Sequence, residues 1–192
     1  MNANRFGHWA GAWIVALLVF CFCPRIASAA DFIAFGGFQH TGDITLKSAI
    51  NSGSGLIHNL TPGTFGVFGA RVAHGHLFGG EYTGEYAPNF ISSDNHAWIF
   101  HGNLRVQIPY AKVIRPYATG GVGLLYSAGS STNALGTEFL FNYGGGIIFS
   151  LGPVGLNFDV RGYTVPSAHI SGVELQNNIN FVQPTVGLVI SF

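Results

Sequence analysis

Late in the chain, His169-Ile170-Ser171 sets an imidazole and a hydroxyl two residues apart, with Glu174 close by. On an extended backbone, side chains two apart lie on the same side. That arrangement suits a Ser/His hydrolase in which His169 takes the proton of Ser171 and Glu174 orients the imidazole. The same residues also suit the polar surface of a loop. No catalytic assignment is made, and acyl hydrolysis through His169 and Ser171 stands as the alternative.

Two further groups could do chemistry. The histidines outside the N-terminal region are His40, His58, His74, His76, His96, His101 and His169. His74 and His76 flank Gly75, but a metal site needs more converging ligands than a histidine pair, and no cysteine or carboxylate is near. They read as solvated turn residues, and no metal or other cofactor is expected. Gly144-Gly145-Gly146 could cradle a phosphate only if a helix followed, and none does. These glycines read instead as space for larger neighbours.

Composition narrows the classes. Charged residues make up 8% of the 192, against about a quarter in ordinary domains, and glycine alone fills 28 positions. Mean hydropathy is +0.36, yet beyond residue 30 no run approaches the roughly 20 apolar residues of a spanning helix. A soluble surface this poor in charge would be hard to keep dispersed. Formal net charge is zero and no basic run follows a phosphate backbone, so nucleic acid is not an expected partner.

The one continuous apolar run is Ala12–Phe20. It follows Arg5 and precedes Ala27-Ser28-Ala29, the positive, apolar and small-residue order of a secretory signal. Residues 1–30 are read as a cleaved signal peptide and 31–192 as one domain. Both cysteines, Cys21 and Cys23, leave with the signal.

Past Asp31, eight segments alternate apolar and polar side chains, at about 32–42, 64–74, 76–87, 97–108, 116–127, 138–150, 154–165 and 180–192. Trp98, Phe100, Leu104, Val106 and Ile108 interleave with His101, Asn103, Arg105 and Gln107, and Val154, Leu156, Phe158 and Val160 with Asn157, Asp159 and Arg161. Long polar connections at about 43–63, 88–96, 128–137 and 166–179 alternate with short ones at Gly75, 109–115 and Gly152-Pro153. The expected fold is all-β, an eight-stranded antiparallel up-and-down transmembrane β-barrel with both termini at the end of the short turns. Phe32, Ile33 and Phe35 break parity in the first strand and Gly120-Gly121 erases it in the fifth, which suggests a bulge in either.

Apolar faces must meet lipid, because a charge at the bilayer midplane costs about 2–4 kcal/mol. The charged set then fills the interior, which in an eight-stranded barrel is only wide enough for side chains. Arg71, Glu81, Glu85, His101, Arg105, Asp159 and Arg161 are the expected lumenal polar network. A tight turn at Gly75 sets Arg71 opposite Gly79 and diagonal to Glu81, with Arg105 near Glu81 or Glu85. A narrow solute or ion channel is a further alternative.

The residues also carry a resemblance. Arg115-Pro116-Tyr117-Ala118-Thr119-Gly120-Gly121-Val122-Gly123-Leu124, Asn142-Tyr143-Gly144-Gly145-Gly146-Ile147 and Asp159-Val160-Arg161-Gly162-Tyr163 resemble the fifth to seventh strands of the small outer-membrane β-barrels, OmpA-like and opacity-protein-like. The ending Leu188, Ile190, Phe192 resembles the terminal signal read by the barrel-assembly machinery. The resemblance implies the outer membrane of a Gram-negative (diderm) bacterium. It also implies contact with outer-membrane lipids and lipopolysaccharide, periplasmic chaperones during biogenesis, and a monomer with a structural or surface-exposed role. His169-Ile170-Ser171 in turn resembles the His-x-Ser pair of barrel-type lipid A deacylases, with Gly172 where that family has Asn.

Overall fold

The computed structural model describes residues 30–42, 63–90, 95–108, 113–129, 136–166, 169–170, 173–174 and 178–192. Ten strands run in chain order. They are β1 Ala30–Thr41, β2 Thr64–Gly75, β3 Phe78–Ala87, β4 Asn95–Gln107, β5 Ile114–Gly129, β6 Gly136–Leu151, β7 Val154–Val165, β8 His169–Ile170, β9 Val173–Glu174 and β10 Ile179–Ser191. All but β8 and β9 close into one antiparallel barrel in the order β1-β10-β7-β6-β5-β4-β3-β2. The two short strands pair with each other within the connection between β7 and β10. The eight expected segments are all present, with β5 and β6 extended to 16 residues each.

Alternation explains why the ring closes as it does. Among the described residues, no Asp, Glu, Lys or Arg occupies an outward position of the eight barrel strands. Phe78, Tyr82, Leu104, Val122, Tyr143, Val160 and Leu188 stand there instead, and each is exposed. The inward charges of β2, β3, β4 and β7 are sequestered, Arg71 and Arg161 at 1% exposure and Glu81 at 0%. A closed ring leaves no unpaired edge, which is what a hydrocarbon surrounding demands of a sheet.

The short turns lie at the same end as Ala30 and Phe192. Gly152, with φ 74°, precedes Pro153 in a two-residue hairpin between Leu151 and Val154, where a positive φ at the first central residue suits the twist of the flanking strands. Gly75, with φ 99°, pairs with Gly79. A Cβ on Gly79 would lie 1.7 Å from the His74 carbonyl oxygen, so only glycine closes this turn.

The structure corrects two expectations. Because Gly75 itself pairs with Gly79, the turn is wider than a tight one and Arg71 lies opposite Thr83 rather than Gly79. The shift is even, so side chains keep their face, and Glu81 stays diagonal to Arg71. No bulge occurs in the first or fifth strand. The β1–β2 and β5–β6 registers run unbroken, and Ile33 and Phe35 break parity because they are buried in the lumen.

Candidate functional site: the filled lumen

Three layers fill the barrel. At the end bearing the long connections, an apolar cluster comprises Val67, Ala87, Phe90, Ala97, Ile99, Leu125, Leu140, Tyr163, Val165, Ile179 and Phe181. Phe181 stacks on Tyr163 at 4.7 Å and meets Phe90 edge-on at 5.4 Å, both favourable ring arrangements. Phe181 and Val189 interrupt the otherwise polar inward face of β10 and are lumenal core residues, at 2% and 1% exposure.

The middle layer is ionic. Glu81 on β3 receives three guanidinium groups: Arg161 at 2.7 Å, Arg71 at 3.6 Å and Arg105 at 3.6 Å. Asp159 on β7 holds Arg161 at 2.7 Å and Arg71 at 3.3 Å. Glu85 accepts from the Tyr163 hydroxyl at 2.7 Å and lies 3.1 Å from His101 Nε2. His101 Nδ1 is 3.2 Å from Asn103, whose amide donates to Glu81. All seven expected network residues thus converge, and three arginines face three carboxylates in this middle layer. The network spans β2, β3, β4 and β7, the last supplying Asp159 and Arg161.

Tyr117 was not anticipated. Its hydroxyl donates to Asp159 and accepts from Arg71 at 3.3 Å and Asn157 at 2.9 Å. The Arg105 guanidinium lies 3.9 Å over its ring, and Arg71 lies 4.8 Å over Phe35. Tyr117 faces the lumen in β5, where neighbouring glycines blur the alternation that would have marked it. Glycine makes the room, as expected of Gly144 and Gly146, which pair with Arg161 and Asp159. A Cβ on Gly146 would lie 2.8 Å from the Tyr117 hydroxyl, and one on Gly144 3.0 Å from Arg161 Cγ.

The third layer closes the end that carries Ala30 and Phe192. Ile33, Tyr117, Ile148 and Val189 pack there. Arg115 on β5 makes a bidentate pair with Asp31 on β1, at 3.0 and 3.2 Å, and donates to Ser150 and to Ser191 on β10. Ser191 in turn donates to Asp31.

The other candidates are not brought together in this way. His169 and Glu174 are cross-strand partners in the β8–β9 ladder, and Ser171 lies outside the described residues. His74 lies on the outer wall, stacked on Tyr82 at 6.4 Å. Among the described residues no three His, Cys, Asp or Glu side chains form a metal-binding group. The C-terminal triplet faces outward, with Leu188 at 66%, Ile190 at 44% and Phe192 at 75% exposure, and the Phe192 amide donates to Ala30.

The chain matches no protein-family model and no curated protein. Solved structures do match. Neisserial surface protein A aligns with a TM-score of 0.60 at 12% sequence identity, over 86% of this chain and 99% of that one. The outer membrane protein AlkL, determined in lipid bilayers, aligns with a TM-score of 0.50 at 18% identity, over 85% and 90%. The outer membrane enzyme PagL reaches only 0.41 at 14% identity, over 83% and 98%, and a score this low adds nothing about activity. The chain therefore has the fold of the small eight-stranded outer-membrane barrels.

Proposed function

We propose that this chain is an integral outer-membrane barrel with a structural or surface-exposed role, its long connections facing outward and its lumen plugged. One observation carries the reading: the outer wall bears no Asp, Glu, Lys or Arg in the described strands, whereas the lumen holds a compensated set of arginines and carboxylates. A water-soluble barrel with a greasy interior would reverse that order. Lipid and lipopolysaccharide meet the belt in this reading, the barrel-assembly machinery reads the Phe192 end, and the protein is a monomer. Recognition falls to the connections, since the wall is occupied by lipid and the lumen by its own side chains.

The test is the medium the mature chain requires. We expect residues 31–192 to fold only in detergent or bilayers, to fractionate with the outer membrane, and to be clipped in whole cells only in the long connections. A monomer freely soluble in plain buffer overturns the proposal.

A second reading, acyl hydrolysis of lipid A or phospholipid, draws support from the cross-strand pairing of His169 with Glu174. It predicts that Ser171→Ala changes the acylation pattern of outer-membrane lipids. An unchanged pattern removes it.

A further inference from the structure

The ring closes where β1 meets β10, and toward the end bearing the long connections this seam is short of backbone bonds. Phe192 donates to Ala30 and Gly42 donates to Asn180 across it, so the pairs at even-numbered positions are the hydrogen-bonded ones. Phe38 and Pro184 fall in that series. The paired run breaks off at Gly37↔Thr185 and resumes only at His40↔Val182. Proline has no N–H, so β10 offers the Phe38 carbonyl no donor. On the lumenal face side chains take over. Gln39 and Gln183 stand at the next position, of the kind where side chains approach most closely. Gln183 donates to Gln39 at 3.1 Å, and Gln39 donates to Thr41 at 3.0 Å and to the Phe90 carbonyl at 3.3 Å. Gln39 and Gln183 are both buried, which shields this bridge from water.

Phe90 is the telling residue. It belongs to the connection between β3 and β4, 51 residues along the chain from Gln39, yet it is wholly buried in the mouth of the ring. Its amide donates to the Asn95 carbonyl at 2.9 Å, which folds the connection back onto β4. Its carbonyl meets β1 through Gln39, and its ring meets β10 edge-on through Phe181 at 5.4 Å. Neither β3 nor β4 borders the seam, so this contact is made across the mouth and not along the wall. One residue thus touches both lips of the seam, at the level where the ladder is weakest.

We infer that the β3–β4 connection is a clasp on the closing seam. With Phe90 seated, β1 and β10 are held together across the gap at Pro184; with Phe90 withdrawn, the ring opens there first. A ladder that lacks a backbone bond, bridged by side chains that depend on a connecting segment, has the low local stability from which moving parts are drawn. The clasp itself follows from the geometry of the ring. Its regulatory use rests on the outward placement of the long connections proposed above. The position of an outward connection and the tightness of the wall are then one equilibrium, so whatever shifts the first shifts the second by the same free energy.

Amide hydrogen exchange, followed by NMR on the protein in detergent micelles, tests the clasp. The amides that cross the seam around the gap are those of Gly36, Phe38 and His40 on β1 and of Val182 and Val186 on β10. Amides between β4 and β5 serve as the reference. Phe90→Ala takes the ring away from Phe181 and should speed exchange at the gap about tenfold relative to the reference. Adding Pro184→Val, which supplies an N–H opposite Phe38, should reverse most of that acceleration. If Phe90→Ala does not fold, Phe90→Leu keeps most of the apolar volume without the ring and should show the same selectivity for the gap. Equal acceleration at gap and reference, or none at either, overturns the clasp, as does a Pro184→Val that leaves the faster exchange unmoved. None of these results bears on the membrane reading, which stands or falls on the medium the chain requires.

Discussion

Replacing Glu81 by glutamine removes one negative charge from the centre of three guanidinium groups and changes almost no volume. At an effective dielectric of about 20, the Arg161 contact at 2.7 Å contributes roughly 6 kcal/mol of gross attraction, and Arg71 and Arg105, each at 3.6 Å, roughly 5 apiece. Desolvation of four buried ions and repulsion among the arginines cancel most of that sum. What remains on breaking such a group is the cost of uncompensated charge, about 3–5 kcal/mol. Arg71 and Arg161 keep Asp159, but among the described residues Arg105 has no other carboxylate within ion-pair distance and is left with the Tyr117 ring and Gln107. Glu81→Gln should therefore lower unfolding stability by about 4 kcal/mol, read by urea titration in lipid vesicles with Trp98 fluorescence. Arg105→Leu alone should cost less, about 2 kcal/mol, because Glu81 retains Arg161 and Arg71. The double variant, with two positive and two negative charges left in the middle layer, should be more stable than Glu81→Gln alone. A loss below about 1 kcal/mol in Glu81→Gln would refute the reasoning, since it would mean that water reaches these charges.

Three other outcomes are expected. Gly146→Val drives a branched side chain against Tyr117 and the Phe158 carbonyl and should cost at least about 3 kcal/mol. Gly36→Ala should be neutral, and heat-modifiability on gels compares the two. Asp31→Arg and Arg115→Asp should each lower that heat stability, and the double exchange should recover most of it; additive losses would show that the pair does not interact. Planar bilayers holding the wild-type protein should show no steady conductance, because the Phe90, Tyr163 and Phe181 cluster fills the lumen. Steady steps that shift with Glu81→Gln would establish an ion path.

Much of this architecture was legible because a membrane wall permits so little. Charge is forbidden on one face, so β4 and β7 declared their orientation residue by residue, and Arg71, Glu81, Arg105, Asp159 and Arg161 followed from parity alone. Ile33 and Phe35 misled because a two-sided ribbon invites the assumption that its inner face is polar throughout. In three dimensions the interior is layered, with apolar packing above and below the ions. Tyr117 stayed hidden because glycine carries no sign of which face it occupies. The offset between β2 and β3 was misjudged because the width of a turn is a matter of backbone angles, and the letters around Gly75 do not record it. Ladder gaps such as the one at Pro184 depend on which neighbour a proline meets, and that is known only once the ring is assembled.

The Arg115 contacts have a bearing on how such a ring is completed. β5 stands directly across the circle from β1, four strands away in either direction. Its guanidinium nonetheless grips Asp31 on the first strand and Ser191 on the last. A half-built sheet offers this cation only Ser150 next door. Its counter-charge arrives when both ends of the polypeptide reach the far side, so neutralising Arg115 and sealing the circumference are one event, and a sheet that stops short keeps a bare positive charge at its rim.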